Sequence, residues 1–205
     1  MSTIEGGMVS TNDPEIYELV RMWRSHGMVR EASDESIKQR FVEEYPDLTP
    51  DFIFAVPGYN VRSTELNAVI GLEQIERLDG NNEKRIRNLR LFLDHLDSGR
   101  YRTDFDTEGA VNYALVLVLK EKDDALMAAV SAAMREAKVE FRRGASGGGN
   151  QLRQPYLRKL MPEGAYELYP ETEHIHFYGC YIGNYPGLSE DKILQLCELL
   201  NEVSV

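Results

Sequence analysis

The sequence predicts an α/β protein whose first half is largely helical and whose second half alternates strands and helices. Apolar residues recur at helical spacing over residues 14–26 and 63–98, which indicates helices with buried faces. In contrast, the run "NYALVLVLK" at 112–120 is continuously apolar, as in a buried strand. The change of pattern near residue 100 predicts two parts, residues 1–100 and residues 101–205.

Composition restricts the class of protein before any motif is considered. The 205 residues carry a net charge of −11, which argues against general nucleic-acid binding because phosphate attraction needs clustered basic residues. No apolar run approaches a membrane span and no signal peptide is recognisable, so we expect a cytoplasmic protein without a membrane partner. Cys180 and Cys197 are too few for a disulfide framework, and both are predicted to be reduced and packed.

The first elements follow from turn, cap and periodicity signals. The stretch "EGGMVSTND" at 5–13 predicts a short strand and a turn, after which Asn12 or Asp13 can cap a helix that begins with Pro14. That helix is predicted to end near Gly27. Its buried face should consist of Ile16, Leu19, Val20 and Trp23.

The middle of the chain predicts a long excursion followed by two helices. Residues 28–59 contain acidic clusters and prolines, with one short helix at 36–44. Residues 63–79 are apolar over a wide arc, which predicts a helix that is capped by Ser63 or Thr64 and buried on several sides.

After "DGNN" at 79–82, a second helix is predicted. Its buried stripe should contain Ile86, Leu89, Leu93 and Leu96. Its basic face consists of Lys84, Arg85, Arg87 and Arg90. We interpret that face as a solvated helix surface, with an anion site as the alternative.

The second half predicts a small α/β sandwich. Strands are expected at 112–120, 139–143 and 174–184, and helices at 123–138 and 189–203. In the third strand, His174 and His176 would alternate onto one face, where two histidines can share a metal ion. No third ligand has convincing spacing, so we predict no metal site and place both histidines at the surface or at an interface.

Three stretches in a fixed order are not generic. They are "STIEGGMVSTND", then "GYNVRSTELNAVIGLEQIERLD", then "GNQLRQPYL" followed by "YIGNYPGLSEDKI". Together they resemble the nucleotide-sugar aminotransferase and 3-dehydratase family of pyridoxal-phosphate enzymes, named after DegT and StrS, and the resemblance covers essentially the whole chain. It implies fold type I, the architecture of aspartate aminotransferase. Residues 1–100 would be a remnant of the large domain with the long interdomain helices, and residues 101–205 the small α/β sandwich domain.

The resemblance also implies where the catalytic residue lies. In that family, a segment like "STIEGG" follows directly after the lysine that binds the cofactor covalently, or after the histidine that replaces this lysine in 3-dehydratases. This chain would therefore be the C-terminal half of such an enzyme and contain no catalytic residue. We expect it to be inactive and to bind no pyridoxal phosphate by itself.

The turn "GYNVR" supplies the first candidate site residues. By resemblance, Asn60 matches an asparagine that reaches the cofactor phosphate of the neighbouring subunit, and an amide can donate to phosphate without adding charge. Alternatively, Asn60 merely occupies a turn beside Gly58. Arg62 can bind phosphate or substrate, or it can pair with Glu65 at the start of the next helix.

The segment "EFRRGASGGGNQLRQPYL" supplies the second group. It resembles a family segment in which an arginine, a short loop and a Gly-Asn pair border the sugar-nucleotide site, here Arg142 or Arg143, Gly149 and Asn150. Glycines let backbone N–H groups approach a diphosphate, and arginine can bind it in bidentate fashion. The alternative is a flexible loop between two strands. An arginine where proline is common, and extra glycines, leave Arg142 and Arg143 as alternatives.

The last candidates lie near the end of the chain. His176 is placed near the sugar, and Tyr181, Gly183 and Asn184 resemble the family ending. A strand exit rich in Gly, Asn and Pro would look similar for turn reasons alone.

The implied function is transfer of an amino group from an amino acid such as glutamate to a nucleotide-linked keto-sugar, with pyridoxal phosphate held by the complete enzyme. The partner would be a second copy of the chain or a complementing N-terminal half, since the family's active sites lie at a two-fold interface. One alternative is 3-dehydration of the sugar. Another is a non-catalytic accessory or truncated protein.

Overall fold

The computed structural model describes residues 1–144 and 149–204, which form two compact units, Met1–Arg77 and Leu78–Val205. Residues 145–148, in the middle of the predicted glycine-rich loop, lie outside the described residues. The division between the units falls after Arg77, whereas the predicted domain boundary is at residue 100. The predicted domain boundary at residue 100 stays a prediction.

The first unit contains three helices. These are α1 (Pro14–Trp23), α2 (Glu35–Glu44) and α3 (Glu65–Ile75). The cap predicted for α1 is confirmed, because the Asp13 carboxylate accepts hydrogen bonds from the backbone N–H groups of Glu15 and Ile16 at 2.8 and 3.1 Å.

The buried face of α1 differs from the prediction. Glu18 and Met22 are buried, whereas Ile16 and Trp23 are 47% and 43% exposed. Burial of Glu18 is possible because its carboxylate accepts a hydrogen bond from the Ser33 backbone N–H at 2.7 Å and another from the Ser33 hydroxyl.

Three predictions for the first unit and its boundary are wrong. No strand forms within residues 5–13, because no neighbouring strand pairs with them among the described residues. The segment "DGNN" does not separate two helices but lies inside helix α4 (Leu78–His95). Helix α3, predicted to be buried on several sides, has no buried residue, and Leu66 and Leu72 are 77% and 69% exposed.

The second unit is built on a three-stranded antiparallel sheet. Its strands are β1 (Ala114–Val118), β2 (Phe141–Arg143) and β3 (Gly179–Gly183), in the order β1-β3-β2. Its helices are α4, α5 (Asp124–Glu136), α6 (Pro155–Arg158), α7 (Pro170–Tyr178) and α8 (Glu190–Glu202). Helices α5 and α8 and strands β1 and β2 lie where the sequence predicts them. The α/β sandwich prediction is therefore confirmed in its main elements.

One face of this sheet carries the core. Leu115, Leu117, Cys180 and Ile182 alternate onto it and join one cluster with residues of α4, α5 and α8, among them Phe92, Val130, Met134, Ile193 and Leu200. Burial raises the pKa of the Cys180 thiol to about 12 and that of the Cys197 thiol to about 11. Both cysteines are free and buried, as predicted.

The predicted strand at 174–184 is wrong in its first half. Residues Pro170–Tyr178 form helix α7, and only Gly179–Gly183 form strand β3. Pro170 occupies the first turn of the helix, where its missing N–H costs nothing. At the junction, a Cβ on Gly179 would come 2.6 Å from the carbonyl oxygen of Ile175, so only glycine fits there.

Membrane-spanning helices and clusters of metal-binding side chains are both absent from the described residues. No helix within 1–144 and 149–204 combines the length and the apolar content that a membrane span requires. In the same ranges, no group of three or more His, Cys, Asp or Glu side chains is arranged to hold a metal ion.

Candidate functional site

Backbone hydrogen bonds join the "GYNVR" turn, residues 58–62, to residues 23–26 at the end of helix α1. The backbone N–H of Tyr59 donates to the carbonyl oxygen of Trp23 at 2.7 Å, and the N–H of His26 donates to that of Tyr59 at 2.6 Å. Two residues after Tyr59, the N–H of Val61 donates to the carbonyl of Arg24 at 3.0 Å. These three hydrogen bonds fix the position of the turn within the first unit.

Two glycines permit this close approach. A Cβ on Gly58 would overlap the backbone nitrogen of Gly27, and a Cβ on Gly27 would overlap the carbonyl oxygen of Val56. Gly27 also has a left-handed backbone with φ 78°, which glycine adopts without strain. Gly58 is therefore required for packing as well as for the turn.

The Arg62 guanidinium donates hydrogen bonds to two residues of the first unit. Its Nε donates to the Ser25 hydroxyl at 2.7 Å, and its Nη2 donates to the same hydroxyl and to Glu31 Oε1 at 2.6 Å. Ser25 is fully buried. The carboxylate partner is thus Glu31 and not Glu65, while a contact of Arg62 with substrate stays a prediction.

Ser25 and Glu31, the partners of Arg62, were not predicted from the sequence. Neither belongs to a recognised motif, and both are brought to Arg62 by the chain between α1 and α2. We call Arg62, Ser25 and Glu31 the latch, because they join the turn to the segment that follows α1.

Asn60 lies exposed on the latched turn. Its backbone forms an isolated bridge with Ser25, but its side-chain amide has no hydrogen bond to any residue within the described ranges. Helix α3 begins soon afterwards with Thr64 as N-cap, whose N–H donates to Asn67 Oδ1 at 3.1 Å. The arrangement holds an amide donor in a fixed place and leaves it available to an external acceptor, which fits a phosphate group.

In the second unit, the two candidate arginines lie on opposite faces of the sheet. Arg143 pairs in register with Cys180 on the core side, where its Nη2 donates to the carbonyl of Phe177 at 2.5 Å and its Nη1 to the Ser131 hydroxyl at 3.3 Å. Arg142 pairs with Tyr181 on the other face. The alternation of a strand therefore excludes both guanidinium groups from one shared site.

Arg142 is the exposed member of the pair. Its Nη1 donates to the Tyr181 hydroxyl over a long 3.5 Å. The ring of Tyr181 meets that of Tyr113 edge to face at 5.6 Å between centroids, and the hydrogen bond between their hydroxyls raises the pKa of Tyr113. The structure brings together Arg142 and Tyr181, two of the predicted substrate residues.

Asn150 is buried, with 2% of its surface exposed, and its polar atoms are all engaged. Its backbone N–H donates to His176 Nδ1 at 3.1 Å. Its side-chain Nδ2 donates to the carbonyl of Tyr166 at 3.1 Å and to Glu173 Oε1 at 2.9 Å, while Oδ1 accepts from the N–H of Leu152 at 3.0 Å. The side chain fixes the end of the glycine-rich segment against helix α7.

An ion pair between Arg153 and Glu173 stands beside Asn150. Arg153 Nε lies 2.8 and 3.0 Å from the two Glu173 oxygens, and its Nη2 also donates to this carboxylate. The guanidinium stacks between the rings of Tyr166 and Phe177, at 4.1 and 4.8 Å from their centroids. The hydrogen bond to Arg153 lowers the pKa of Glu173. Sequence reasoning missed this pair, although Arg153 lies within the quoted "GNQLRQPYL".

His176 is half-buried beside Asn150 and the Arg153–Glu173 ion pair. Burial, and then the positive charge of Arg153, lower the pKa of its imidazole. Because Nδ1 accepts the Asn150 N–H, the neutral ring carries its proton on Nε2. A Cβ on Gly149 would come 2.5 Å from His176 Nδ1, so the ring packs directly on the Gly-Asn backbone.

His174 plays a different role. It is buried, and its Nε2 lies 2.6 Å from the carbonyl oxygen of Leu119. Two residues apart on a helix, His174 and His176 are rotated by roughly 200° about the axis. The prediction that they share one strand face is therefore wrong.

Asn184 is a structural residue in this chain. It is buried, and its Nδ2 donates to the carbonyls of Arg85 and Asn112, both at 2.9 Å. Its Oδ1 accepts from Asn88 Nδ2 at 3.1 Å, and its carbonyl accepts from Arg85 Nε at 3.2 Å. These bonds join α4, the start of β1 and the end of β3.

The sequence of this chain is similar to those of known proteins. The sequence profile of the DegT/DnrJ/EryC1/StrS aminotransferase family matches residues 1–201. A similar curated protein is GDP-4-keto-6-deoxy-D-mannose 3-dehydratase of Yersinia pseudotuberculosis, 28% identical over 206 residues that span 98% of this chain and 51% of the relative. Another is GDP-perosamine synthase of Escherichia coli O157:H7, 23% identical over 98% of this chain and 48% of the relative.

A solved structure has the same fold. The GDP-4-keto-6-deoxy-D-mannose-3-dehydratase of E. coli with bound hydrated pyridoxal phosphate superposes with a TM-score of 0.75 at 25% identity, over 98% of this chain and 51% of that one. The predicted α/β fold class, that of a fold-type-I pyridoxal-phosphate enzyme, is thereby confirmed, whereas its assignment to the C-terminal part stays a prediction. The chain spans about half the length of the relatives it matches.

Proposed function

The chain belongs to the DegT/DnrJ/EryC1/StrS aminotransferase family, and we propose that it forms the C-terminal portion of a pyridoxal-phosphate enzyme that acts on a nucleotide-linked keto-sugar. The observation that carries this proposal is the latched turn with its exposed Asn60. The turn is held by backbone hydrogen bonds and by Arg62, yet the Asn60 amide is left for an external acceptor.

The role proposed for Asn60 is donation to the phosphate of the cofactor in a neighbouring subunit. Bound pyridoxal phosphate supplies an electron sink for chemistry at the substrate carbon or nitrogen. The chain's own contribution is positional, since Arg62, Ser25 and Glu31 hold the turn so that the amide needs no reorganisation to meet a phosphate. The second copy, or a complementing half, would contribute the remaining site groups.

On the substrate side, the geometry divides the predicted residues into two roles. Arg142 and Tyr181 present an exposed cation and hydroxyl, which can bind a phosphate oxygen. His176 can offer its Nε2 proton to a sugar oxygen. Arg143 and Asn150 are positioning residues. The Arg143 guanidinium holds strand β2 against α5 and α7, and the Asn150 amide holds the Gly-Asn segment against Glu173 of α7.

Two reactions remain as candidates. The preference for transamination in the sequence analysis rests on its being the commoner activity of the family, and no residue of this chain distinguishes the two reactions. The names of the relatives favour 3-dehydration, since proteins with 28% and 26% identity are GDP-4-keto-6-deoxy-D-mannose 3-dehydratases and the perosamine synthase is 23% identical. We therefore place 3-dehydration first and transamination second. A non-catalytic accessory protein is the third outcome that the experiment separates.

The test uses the complete reading frame that contains this chain. Its product is incubated with GDP-4-keto-6-deoxy-D-mannose, glutamate and pyridoxal phosphate, and the sugar is analysed by NMR. Loss of the 3-hydroxyl identifies dehydration, and a 4-amino sugar identifies transamination. An unchanged sugar would contradict the proposed activity and leave the accessory protein.

The role of Asn60 has its own readout. Asn60→Ala should lower the amount of pyridoxal phosphate retained after dialysis, about tenfold in affinity for one lost hydrogen bond to a charged group. Asn12→Ala removes an exposed asparagine of the same unit and should retain as much cofactor as the unaltered protein. Equal retention by both variants would contradict the role. The 205-residue chain alone should gain no borohydride-fixed pyridoxal label.

A further inference from the structure

The ion pair between Arg153 and Glu173 has no role in the proposed function. It is largely removed from solvent, since only 24% and 18% of the two side chains are exposed. Such a pair adds little to stability by itself, because desolvation of both charges offsets much of their attraction. It can nevertheless fix the positions and the electrostatic environment of its neighbours, and one of these neighbours is His176.

Helix α7 places Glu173 and His176 on one side. Residues three apart on a helix are neighbours on the same face, one turn from each other. Phe177, four residues after Glu173, extends this face, and its ring meets the His176 ring edge to face at 4.8 Å between centroids. The carboxylate and the imidazole therefore meet the same neighbouring segment, residues 149–153.

Asn150 connects the ion pair to the imidazole. Its side-chain Nδ2 donates to Glu173 Oε1 at 2.9 Å, and its backbone N–H donates to His176 Nδ1 at 3.1 Å. The Nε of Arg153 lies 2.8 and 3.0 Å from the two oxygens of the same carboxylate. The four residues thus form one hydrogen-bonded chain that ends at Nδ1 of the imidazole.

The Arg153 guanidinium is itself fixed by aromatic rings. It stacks between Tyr166 and Phe177, at 4.1 and 4.8 Å from the ring centroids. A lysine could supply the charge but neither the planar stacking group nor the fork of donors. The position of this positive charge relative to His176 is therefore well defined.

The charged groups around the imidazole act in opposite directions. Burial has the largest effect and lowers the pKa of His176, and Arg153 and Arg143 lower it further. Glu173 acts against them, because its negative charge favours the protonated ring. The balance favours the neutral imidazole.

The outer nitrogen of this ring is available. Because Nδ1 accepts the Asn150 N–H, the neutral ring carries its proton on Nε2. Among residues 1–144 and 149–204, Nε2 has no hydrogen-bond partner, and it is not one of the buried polar atoms that lack one. The ring thus offers an N–H donor without a charge, which suits an uncharged oxygen acceptor.

We propose that Arg153 and Glu173 are positioning residues that hold His176 as a neutral Nε2–H donor to a substrate oxygen. Arg153 disfavours the protonated ring, and Glu173 holds Asn150 where its N–H reaches Nδ1. The inference rests on the proposed function for the acceptor, a sugar oxygen. The state of the imidazole can be measured without it.

The first test is NMR spectroscopy of the 205-residue chain. Long-range proton–nitrogen spectra of the histidine rings between pH 5 and pH 8 report both tautomer and pKa, and His176→Gln identifies the His176 signals by their loss. We expect the Nε2–H tautomer. Arg153→Gln removes a positive charge and should raise the pKa of His176, whereas Glu173→Gln removes a negative charge and should lower it.

Opposite shifts separate positioning from a merely structural role. If the pair only stabilised the fold, either variant would expose the ring and move its pKa upward, toward the ordinary value. Two matched controls change charge nearby. Arg158→Gln removes a cation beside the same Tyr166 ring, at 5.8 Å from its centroid, and Glu167→Gln removes an exposed carboxylate. Both should leave the titration of His176 unchanged.

The second test uses the complete enzyme and GDP-4-keto-6-deoxy-D-mannose. The acid limb of the pH profile of kcat/KM should move to higher pH in Arg153→Gln and to lower pH in Glu173→Gln, because a protonated ring cannot accept the Asn150 N–H. If the unaltered enzyme leaves this sugar unchanged, the proposed function fails, and the NMR titrations still decide how the imidazole is held.

Three results would overturn the proposal. The first is a neutral His176 ring with its proton on Nδ1. The second is a pKa of His176 that moves in the same direction, or does not move, in Arg153→Gln and Glu173→Gln. The third is an active enzyme whose acid limb stays in place although the two variants have moved the pKa of His176 apart.

Discussion

Helices α3 and α5 have similar apolar content but opposite environments. Helix α5 buries Met127, Val130 and Met134 against the sheet and α8, within one continuous core. Helix α3 presents Leu66 and Leu72 to solvent and has no buried residue. The second unit therefore covers its own apolar faces, whereas the first unit does not cover this one. An apolar stripe on a helix predicts which face can be buried. Whether that face is buried depends on another element that packs against it.

The largest expected effect compares one leucine in each environment. Leu115→Ala removes a fully buried side chain from the core of the second unit and should lower the free energy of unfolding by about 2–5 kcal/mol. Leu72→Ala on α3 should change it by less than about 0.5 kcal/mol, because the side chain is already in water. Denaturant unfolding followed by circular dichroism measures both. Similar losses for the two variants would contradict the comparison.

The latch should give an intermediate effect confined to the first unit. Arg62→Ala leaves the buried Ser25 hydroxyl without its donor, at a cost of about 1–3 kcal/mol. Hydrogen exchange at the Tyr59 and Val61 amides should accelerate, since these amides hold the turn against α1.

Arg30→Ala serves as the control for the latch. Arg30 is also near Glu31, at 3.7 Å, but it does not contact Ser25. Its removal should leave exchange at Tyr59 and Val61 unchanged. Unaltered exchange in Arg62→Ala would show that the latch does not hold the turn.

The smallest effect is a pH dependence in the second unit. The pKa of His176 is lowered by burial and by Arg153, whereas the unfolded chain binds this proton near pH 6.5. As pH falls through about 6.5, the unfolded state takes up the proton first, so stability declines until the pH passes the folded-state pKa. The unaltered chain should lose more stability than His176→Gln between about pH 7.5 and pH 5. Parallel pH profiles would contradict this.

Much of the fold could be predicted from short-range signals. The Asp13 cap, the apolar run of β1 and the alternation in Phe141–Arg143 each act over a few residues, and each formed as predicted. Helix α7 was missed because "HIHFYGCYIGN" is apolar and aromatic throughout, which periodicity cannot assign to helix or strand. The signals that decide it are Pro170 at the helix start and the close approach at Gly179.

Less of the candidate site than of the fold could be predicted from the sequence. The motif identified Asn60 and the arginine pair, but the partners that fix them come from distant segments. Ser25 lies 37 residues before Arg62, and Glu173 lies 20 residues after Arg153. No local sequence pattern predicts such pairs, because only the folded backbone brings the two residues within hydrogen-bond distance.

The sequence by itself determined the family, the order of most elements and the residues that carry polar chemistry, because helical spacing, caps and a multi-residue motif are written in neighbouring positions. The tertiary structure alone decided which of those residues are free to act. It placed Arg142 and Arg143 on opposite faces of the sheet, and it gave hydrogen-bond partners to all the polar atoms of the Asn150 side chain. The physical reason is that strand register, burial and hydrogen-bond partners depend on contacts between residues far apart in the chain.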